Sequence, residues 1–290
     1  MRVHAQHRSD ECERLCTQAD VARDAGSLAR ADELIDRALK KSPRDRDVRR
    51  QLAESLWNVG RQRESLDILT QLALDHPRDV SLATLLAERL EELGRLDEAL
   101  ERLQPALSAD PTAVAALELK ARIEMAQGRH DDALATYQRL AQLEPSQVQA
   151  LLEMGTIHVR RGQSDRAAPL FRSILIHPRA TKDQLAQARW QLGVAYAQSE
   201  RWADAAVQLA LAAPDREMSA DDWHNVAYAQ YRSGDLAAAQ VSLSHALGLE
   251  PGHPLASKLT AVVMHASKSN EPLVPAAYER ASATQDESRL

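Results

Sequence analysis

The sequence predicts an all-α protein assembled from stacked helical hairpins, and three observations carry that expectation. Glycine falls at Gly26, Gly60, Gly94, Gly128 and Gly162, five times at a spacing of 34. Proline follows at Pro43, Pro77, Pro111 and Pro145 with the same spacing, then at Pro178, one residue early. Five residues after each glycine stands a small residue: Ala31, Ser65, Ala99, Ala133 and Ala167. A fixed period of this length marks a repeat architecture and outweighs any local reading. Composition agrees, because Ala, Leu, Arg, Asp, Glu and Gln dominate the runs and β-branched residues are sparse. Aromatic residues make up 3% of the chain, with a single Phe, so closely packed Ala-rich helices are expected rather than a globule filled by large rings.

The elements follow in chain order. After an N-terminal tail at 1–11, hairpin units are expected at about 12–45, 46–79, 80–113, 114–147 and 148–181. Two further copies come after a shift, at 186–218 and 220–252. In the sixth copy Glu200 takes the glycine slot and Ala205 the small slot. The step from Gly162 to Glu200 is 38 residues, so four are inserted, most simply in "HPRATKDQ". The seventh copy has Gly234, Ala239, Ala246 and Pro251, with Trp223 at its head. "PLASKLTAVVMHASK" then reads as an amphipathic helix at 253–268, with Leu255, Leu259 and Val262 or Val263 at helical spacing, covering the last unit. The remainder, 269–290, carries two prolines and then polar residues and reads as a flexible tail.

Each slot has a chemical reason. The turn between two helices needs positive φ, which glycine adopts without steric cost. Helices that cross closely need small contact residues: Ala19, Ala53, Ala87, Ala121, Gly155, Gly193 and Ala227 in first helices, and the Ala/Ser set above, with Ala205 and Ala239, in second helices. Larger residues fill the layer between units: Leu52, Leu86, Met154, Leu192 and Val226, with Ile35, Leu69, Leu103, Tyr137, Phe171, Leu209 and Leu243. Proline closes each unit because it cannot continue the backbone bonding. Three residues break the pattern. Gln18 and Lys120 stand in slots that are usually apolar, and Pro105 inside a second helix predicts a kink or a short helix there.

Composition also excludes classes. The formal net charge is −6, which argues against a nucleic-acid partner. No run approaches the ~20 apolar residues of a membrane span. The opening "MRVHAQHRSDECERL" lacks the apolar stretch of a signal peptide, so the expected compartment is the cytoplasm. His4, His7, Cys12 and Cys16 raise the question of zinc, but their spacing is not that of a standard finger, and capping or surface roles are the plainer reading. The other histidines form no nucleophile–base motif, and no phosphate-cradling loop, nucleophile elbow or metalloprotease helix is present. Neither a cofactor nor an enzymatic activity is expected.

With small, large, Gly and Pro slots in register over about residues 12–252, the chain resembles the tetratricopeptide repeat family. The resemblance implies a right-handed α-solenoid of about seven hairpins plus a C-terminal capping helix, with first helices lining a concave groove. Carrying that register across, the inward lines run from acidic residues in the first half, Asp20, Glu54, Glu88, Glu91, Glu92 and Glu118, to apolar and aromatic ones in the second. The second half offers Leu152, Val159, Trp190, Val194, Tyr228 and Tyr231, with Arg160 and Arg232. Aromatic and Arg residues dominate binding hot spots. The expected partner contacts are therefore Trp190, Tyr228, Tyr231, Arg160 and Arg232 as anchors and Glu54, Glu88 and Glu91 as an electrostatic guide. Packing between neighbouring first helices is the competing reading of the aromatics, and a solvated face that of the acids. The Lys/Arg/Asn clamp by which some members hold an acidic C-terminal peptide is missing, since Glu54 stands where Asn is needed.

The reading that follows is a non-catalytic adaptor or assembly factor holding a segment of a partner protein. A self-assembling homo-oligomeric scaffold is the alternative, with "EPLVPAAYER" from Glu271 to Arg280 lying in a neighbour's groove. A peptide-sensing regulatory receptor is a third.

Overall fold

The computed structural model describes residues 2–41, 45–144 and 147–269, and side chains from residue 10 to 268 within them. Among the described residues the chain is all-helical, with no strand. It divides into two compact units, 1–136 and 137–290.

The first unit contains α1 (Arg2–Asp24), α2 (Leu28–Leu39), α3 (Arg46–Asn58), α4 (Gln62–Asp75), α5 (Val80–Glu92), α6 (Leu96–Ala109) and α7 (Val114–Ala126). The boundary between the units falls within α8 (His130–Leu143). The second unit contains α9 (Val148–Arg160), α10 (Ser164–Leu175), α11 (Lys182–Gln198), α12 (Trp202–Ala212), a 3₁₀ turn (Ala213–Asp215), α13 (Ala220–Ser233), α14 (Leu236–Leu249) and α15 (Pro254–Ser269). Within each unit successive helices pair as hairpins, α1 with α2, α3 with α4, α5 with α6, α9 with α10, α11 with α12 and α13 with α14. First helices also touch the first helices of neighbouring hairpins, as α1 does α3, α5 does α7, and α9 does α11. The last helix, α15, packs on α13 and α14 as a cap.

The turns follow from the sequence period. Gly94 has φ +72° and Gly234 +93°, a region closed to most L side chains, and the other period glycines share it. The residue after each glycine donates its N–H five residues back, as Arg95 does to the Leu90 carbonyl at 2.8 Å and Asp235 to Gln230 at 2.9 Å. This is the closing bond of a Schellman turn, and it satisfies a carbonyl that the ending helix leaves over. Glu200 makes the same turn at φ +56°, the one non-glycine residue at positive φ among those described. At the other end of the helices, Asp45 and Asp79 cap α3 and α5 with their carboxylates, and Thr181 and Ser219 form capping boxes with Gln184 and Asp222.

The small slots are all buried in both helix sets. Ser65 shows why serine is tolerated there: its hydroxyl donates to the Ala53 carbonyl at 2.6 Å. Gly155 and Gly193 are tighter than alanine permits, since an added Cβ would lie 2.5 Å from the Phe171 ring and 2.6 Å from Leu209. The large slots form the core, except Met154, which is half-buried. Pro77, Pro111, Pro178 and Pro251 stand in turns between hairpins; Pro43 and Pro145 lie outside the described residues.

Several expectations are corrected. The segment 1–11, read as a tail, is helical from residue 2 as part of α1. Of the kink or short helix expected at Pro105, the short helix is absent: α6 runs for 14 residues, as α4 and α14 do. Pro105 and Glu101, whose carbonyl loses its partner, are both exposed, so the cost of the missing bond is small there. The sixth hairpin begins at Lys182 rather than near 186, because the four inserted residues are helical. They lengthen α11 to 17 residues, against 13 in α3, α5, α7 and α9. Lys120 in its apolar slot is satisfied by a second charge. Its Nζ lies 2.8 Å from Glu124, only 1% exposed, and 2.9 Å from Thr136, whose hydroxyl donates to the other carboxylate oxygen at 2.8 Å. Segment 269–290, read as a tail that includes Glu271–Arg280, lies outside the described residues apart from the end of α15.

Candidate functional site

In the second unit α12 and α13 gather an aromatic and cationic cluster. Tyr228 and Arg232 lie one turn apart on α13, and Trp202 stands at the start of α12. The Trp202 and Tyr228 rings meet edge to face at 5.5 Å. Arg232 lies over the Trp202 ring at 4.3 Å and over the Tyr228 ring at 5.7 Å, and its Nη1 donates to the Tyr228 hydroxyl at 2.9 Å. All three side chains are half-buried. Their contact is of the cation–π type, which holds a guanidinium flat while leaving its rim for hydrogen bonds. His224, one turn before Tyr228, stacks on it at 6.3 Å and on His253 at 6.0 Å. Burial, and secondly the neighbouring His253, lower the pKa of His224 below the usual histidine value.

Two expected anchors are elsewhere. Trp190 is 7% exposed and Tyr231 is 2% exposed, so neither faces solvent. Trp190 packs in the core around α9, α11 and α12, under the guanidinium of Arg216 at 4.5 Å. Tyr231 packs with Ala227, Leu243 and the α15 residues Leu259 and Val263. In a chain with so few aromatics, these rings are drawn into the layer between helices where apolar burial is largest. Arg160, at the end of α9, is exposed.

The acidic residues lie in the first unit and are already partly compensated. Glu54 faces Arg50 at 3.5 Å within α3. Glu91 receives two bonds from Arg122 of α7, one of them at 2.8 Å, which links neighbouring first helices. Glu88 is partly exposed on α5. Trp57 is fixed on the same series of helices by its Nε1, which donates to Glu92 at 3.0 Å, and by Arg89 over its ring at 5.0 Å.

Sequence reasoning missed Trp202, which sits on a second helix and outside the first-helix lines it followed. The signal was present, since Trp202 is an aromatic two places past the turn slot at Glu200 in a chain with few aromatics. The metal question finds no support in the described part. Among the described residues no three His, Cys, Asp or Glu side chains come together as a metal site. Cys12 and Cys16 are buried, and the Cys16 thiol is pushed up by its contact with Cys12 and by burial. The side chains of His4 and His7 lie outside the described residues. Among the described residues no helix is long and apolar enough to cross a membrane.

A stack of helical hairpins with a period of 34, bearing an aromatic–arginine cluster where α12 meets α13, defines a helical-repeat protein of the kind used for protein–protein contact. The chain belongs to the tetratricopeptide repeat family, which matches residues 16–79 and 84–148, and again 124–181. Among solved structures it is similar to a tetratricopeptide repeat protein from Parabacteroides merdae, with 17% identity over 88% of this chain and 99% of that one and a TM-score of 0.57. It is similar also to pilF of Pseudomonas aeruginosa, with 16% identity over 74% of this chain and 96% of that one and a TM-score of 0.59. A third is YrrB, described as a TPR protein with an unusual peptide-binding site, with 20% identity over 69% of this chain and 97% of that one and a TM-score of 0.55. At these identities the likeness is one of fold. A comparison with the curated proteins finds no match.

Proposed function

We propose that the chain is a non-catalytic adaptor or assembly factor of the cytoplasm, and that the first-helix face of its second unit holds a segment of a partner protein. The observation that carries this reading is the Arg232 guanidinium held over Trp202 at 4.3 Å and bonded to Tyr228. A fixed cation between two half-buried aromatic rings combines the residue types that supply most binding energy at interfaces. Tyr228, Arg232 and Trp202 form the anchor, with Arg160 at the rim. Trp190 and Tyr231 support that face from within. On the first unit, Glu54, Glu88 and Glu91 act as an electrostatic guide that favours a partner carrying basic residues.

The test is a pull-down from the native host extract, with affinity then measured for the recovered partner. Wild type, Trp202→Ala/Tyr228→Ala and Glu54→Gln/Glu88→Gln are compared. The aromatic pair is expected to cost tenfold or more in affinity, on the order of a hot-spot loss, with far-UV helicity unchanged. The acidic pair is expected to slow association chiefly at low salt. Unchanged affinity in the aromatic variant would sink the assignment.

A further inference from the structure

A second surface lies on the opposite helices of the last two hairpins. Two and six places past the small slot, the second helices of the first unit expose Glu33 and Arg37 on α2, Asp67 and Gln71 on α4, and Glu101 and Pro105 on α6. At the equivalent register α12 presents Val207 and Leu211, and α14 presents Val241 and His245. Val207 is 54% exposed and Val241 59%. They stand 34 residues apart, the repeat period, and each leads a pair at i, i+4. Both helices pack on α13, and paired ridges of this kind suit the apolar stripe of an incoming helix.

The face ends at a cavity of about 430 Å³ lined by Ala213, Arg216, Met218, Trp223, His245 and Leu249, which joins the end of α12 to the end of α14. The Trp223 and His245 rings stack in its wall at 4.4 Å. Arg216 brings the cation. Its Nε is buried without a hydrogen-bond partner. The adjacent Asp215 is already engaged by Lys182 at 2.8 Å. A buried guanidinium nitrogen left unbonded is costly, and a carboxylate is the group that matches its fork.

We infer that the exposed face of α12 and α14, with the Arg216 cavity at its end, is a second docking surface. Its occupant is an amphipathic helical segment of a partner protein whose apolar stripe is followed by a carboxylate. The stripe covers Val207, Leu211 and Val241, and the acid reaches Arg216. This surface is independent of the first-helix cluster, so the chain would join two protein segments at once.

The test uses the full chain and two acetylated, amidated helical peptides of about 16 residues. Both carry Leu at i, i+3, i+4 and i+7 on an Ala/Lys/Gln background. One has Glu a turn past the last Leu, the other Gln. Calorimetry is expected to show the Glu peptide binding about tenfold tighter, the scale of a charge-assisted bond. Arg216→Gln should erase that preference. Val207→Asp/Val241→Asp, both at exposed positions, should lose both peptides at unchanged helicity, while Tyr228→Ala should bind as wild type does. Equal binding of the two peptides by wild type, or binding retained in Val207→Asp/Val241→Asp, would overturn the inference. Loss in Tyr228→Ala would place the peptide on the first helices instead. A wild-type dimer in light scattering that Val207→Asp/Val241→Asp dissolves would assign the face to a second copy and equally overturn it.

Discussion

His253 and Asp221 meet across 2.8 Å, Nε2 to Oδ1, and the contact ties the start of the capping helix to α13. The other ring nitrogen accepts the Ala256 N–H at 3.1 Å, which places the proton on Nε2 and makes the ring the donor to Asp221. His253 is 4% exposed, so it caps α15 from inside the core. Replacement by Ala removes both bonds and is expected to cost roughly 1–2 kcal/mol, the scale of a lost N-cap. His253→Asn keeps a capping acceptor and should recover part of that loss. Urea unfolding of the three proteins checks it, and equal midpoints would refute the capping role.

The neighbouring His224 makes stability depend on pH. Its folded pKa lies below the ordinary 6.5, chiefly through burial and then through His253. The unfolded chain therefore takes up this proton at a higher pH than the folded one. Stability is greatest above 6.5 and falls as pH drops through that value toward the folded pKa. Urea midpoints at pH 7.5 and pH 5.5 should differ in that direction, and His224→Gln should narrow the difference.

Gly155 and Gly193 are expected to refuse even alanine. The Phe171 ring and the Leu209 side chain occupy the space of the missing Cβ. Gly155→Ala and Gly193→Ala should each cost about 1–3 kcal/mol by overpacking, despite the better helix propensity of Ala. Phe171→Leu in the Gly155→Ala background should restore part of it. A stabilised single variant, seen as a raised melting temperature, would contradict the packing.

Glu200 offers the reverse case. It holds a left-handed turn at φ +56° that glycine makes in the other hairpins with described turns. Glu200→Gly is expected to stabilise by about 1 kcal/mol through relief of the Cβ clash, less the entropy glycine adds to the unfolded chain. Differential scanning calorimetry reads the sign directly.

Much of the fold was legible because it is periodic. The turn, small and large slots each repeat a steric demand that one residue type meets, and these demands reappear as positive φ, full burial and interlayer packing. Of the kink or short helix expected at Pro105, the short helix is absent, and it was misjudged because sequence does not say which side of a helix faces water. Lys120 stood out as a departure, but its reason is Glu124 and Thr136, one turn and one hairpin partner away, which no local pattern encodes. The candidate site was half legible for the same reason. First-helix register located Tyr228 and Arg232, yet it could not separate them from the buried Trp190 and Tyr231, since burial depends on the neighbouring hairpins. Trp202 belongs to the previous hairpin and joins the cluster only when the two hairpins stack.

The longer α11 bears on how such a chain can grow. Four residues turn an α-helix by about 400°, so the added segment begins only about 40° from where the shorter helix would have begun. The incoming connection meets the helix on almost the same side, and Gly193 keeps its place against Leu209 of α12. Two added residues would have swung the entry point by about 200°, to the far side of the helix. Length in this architecture is therefore graduated in whole turns, and an insertion that respects the graduation alters reach without altering register.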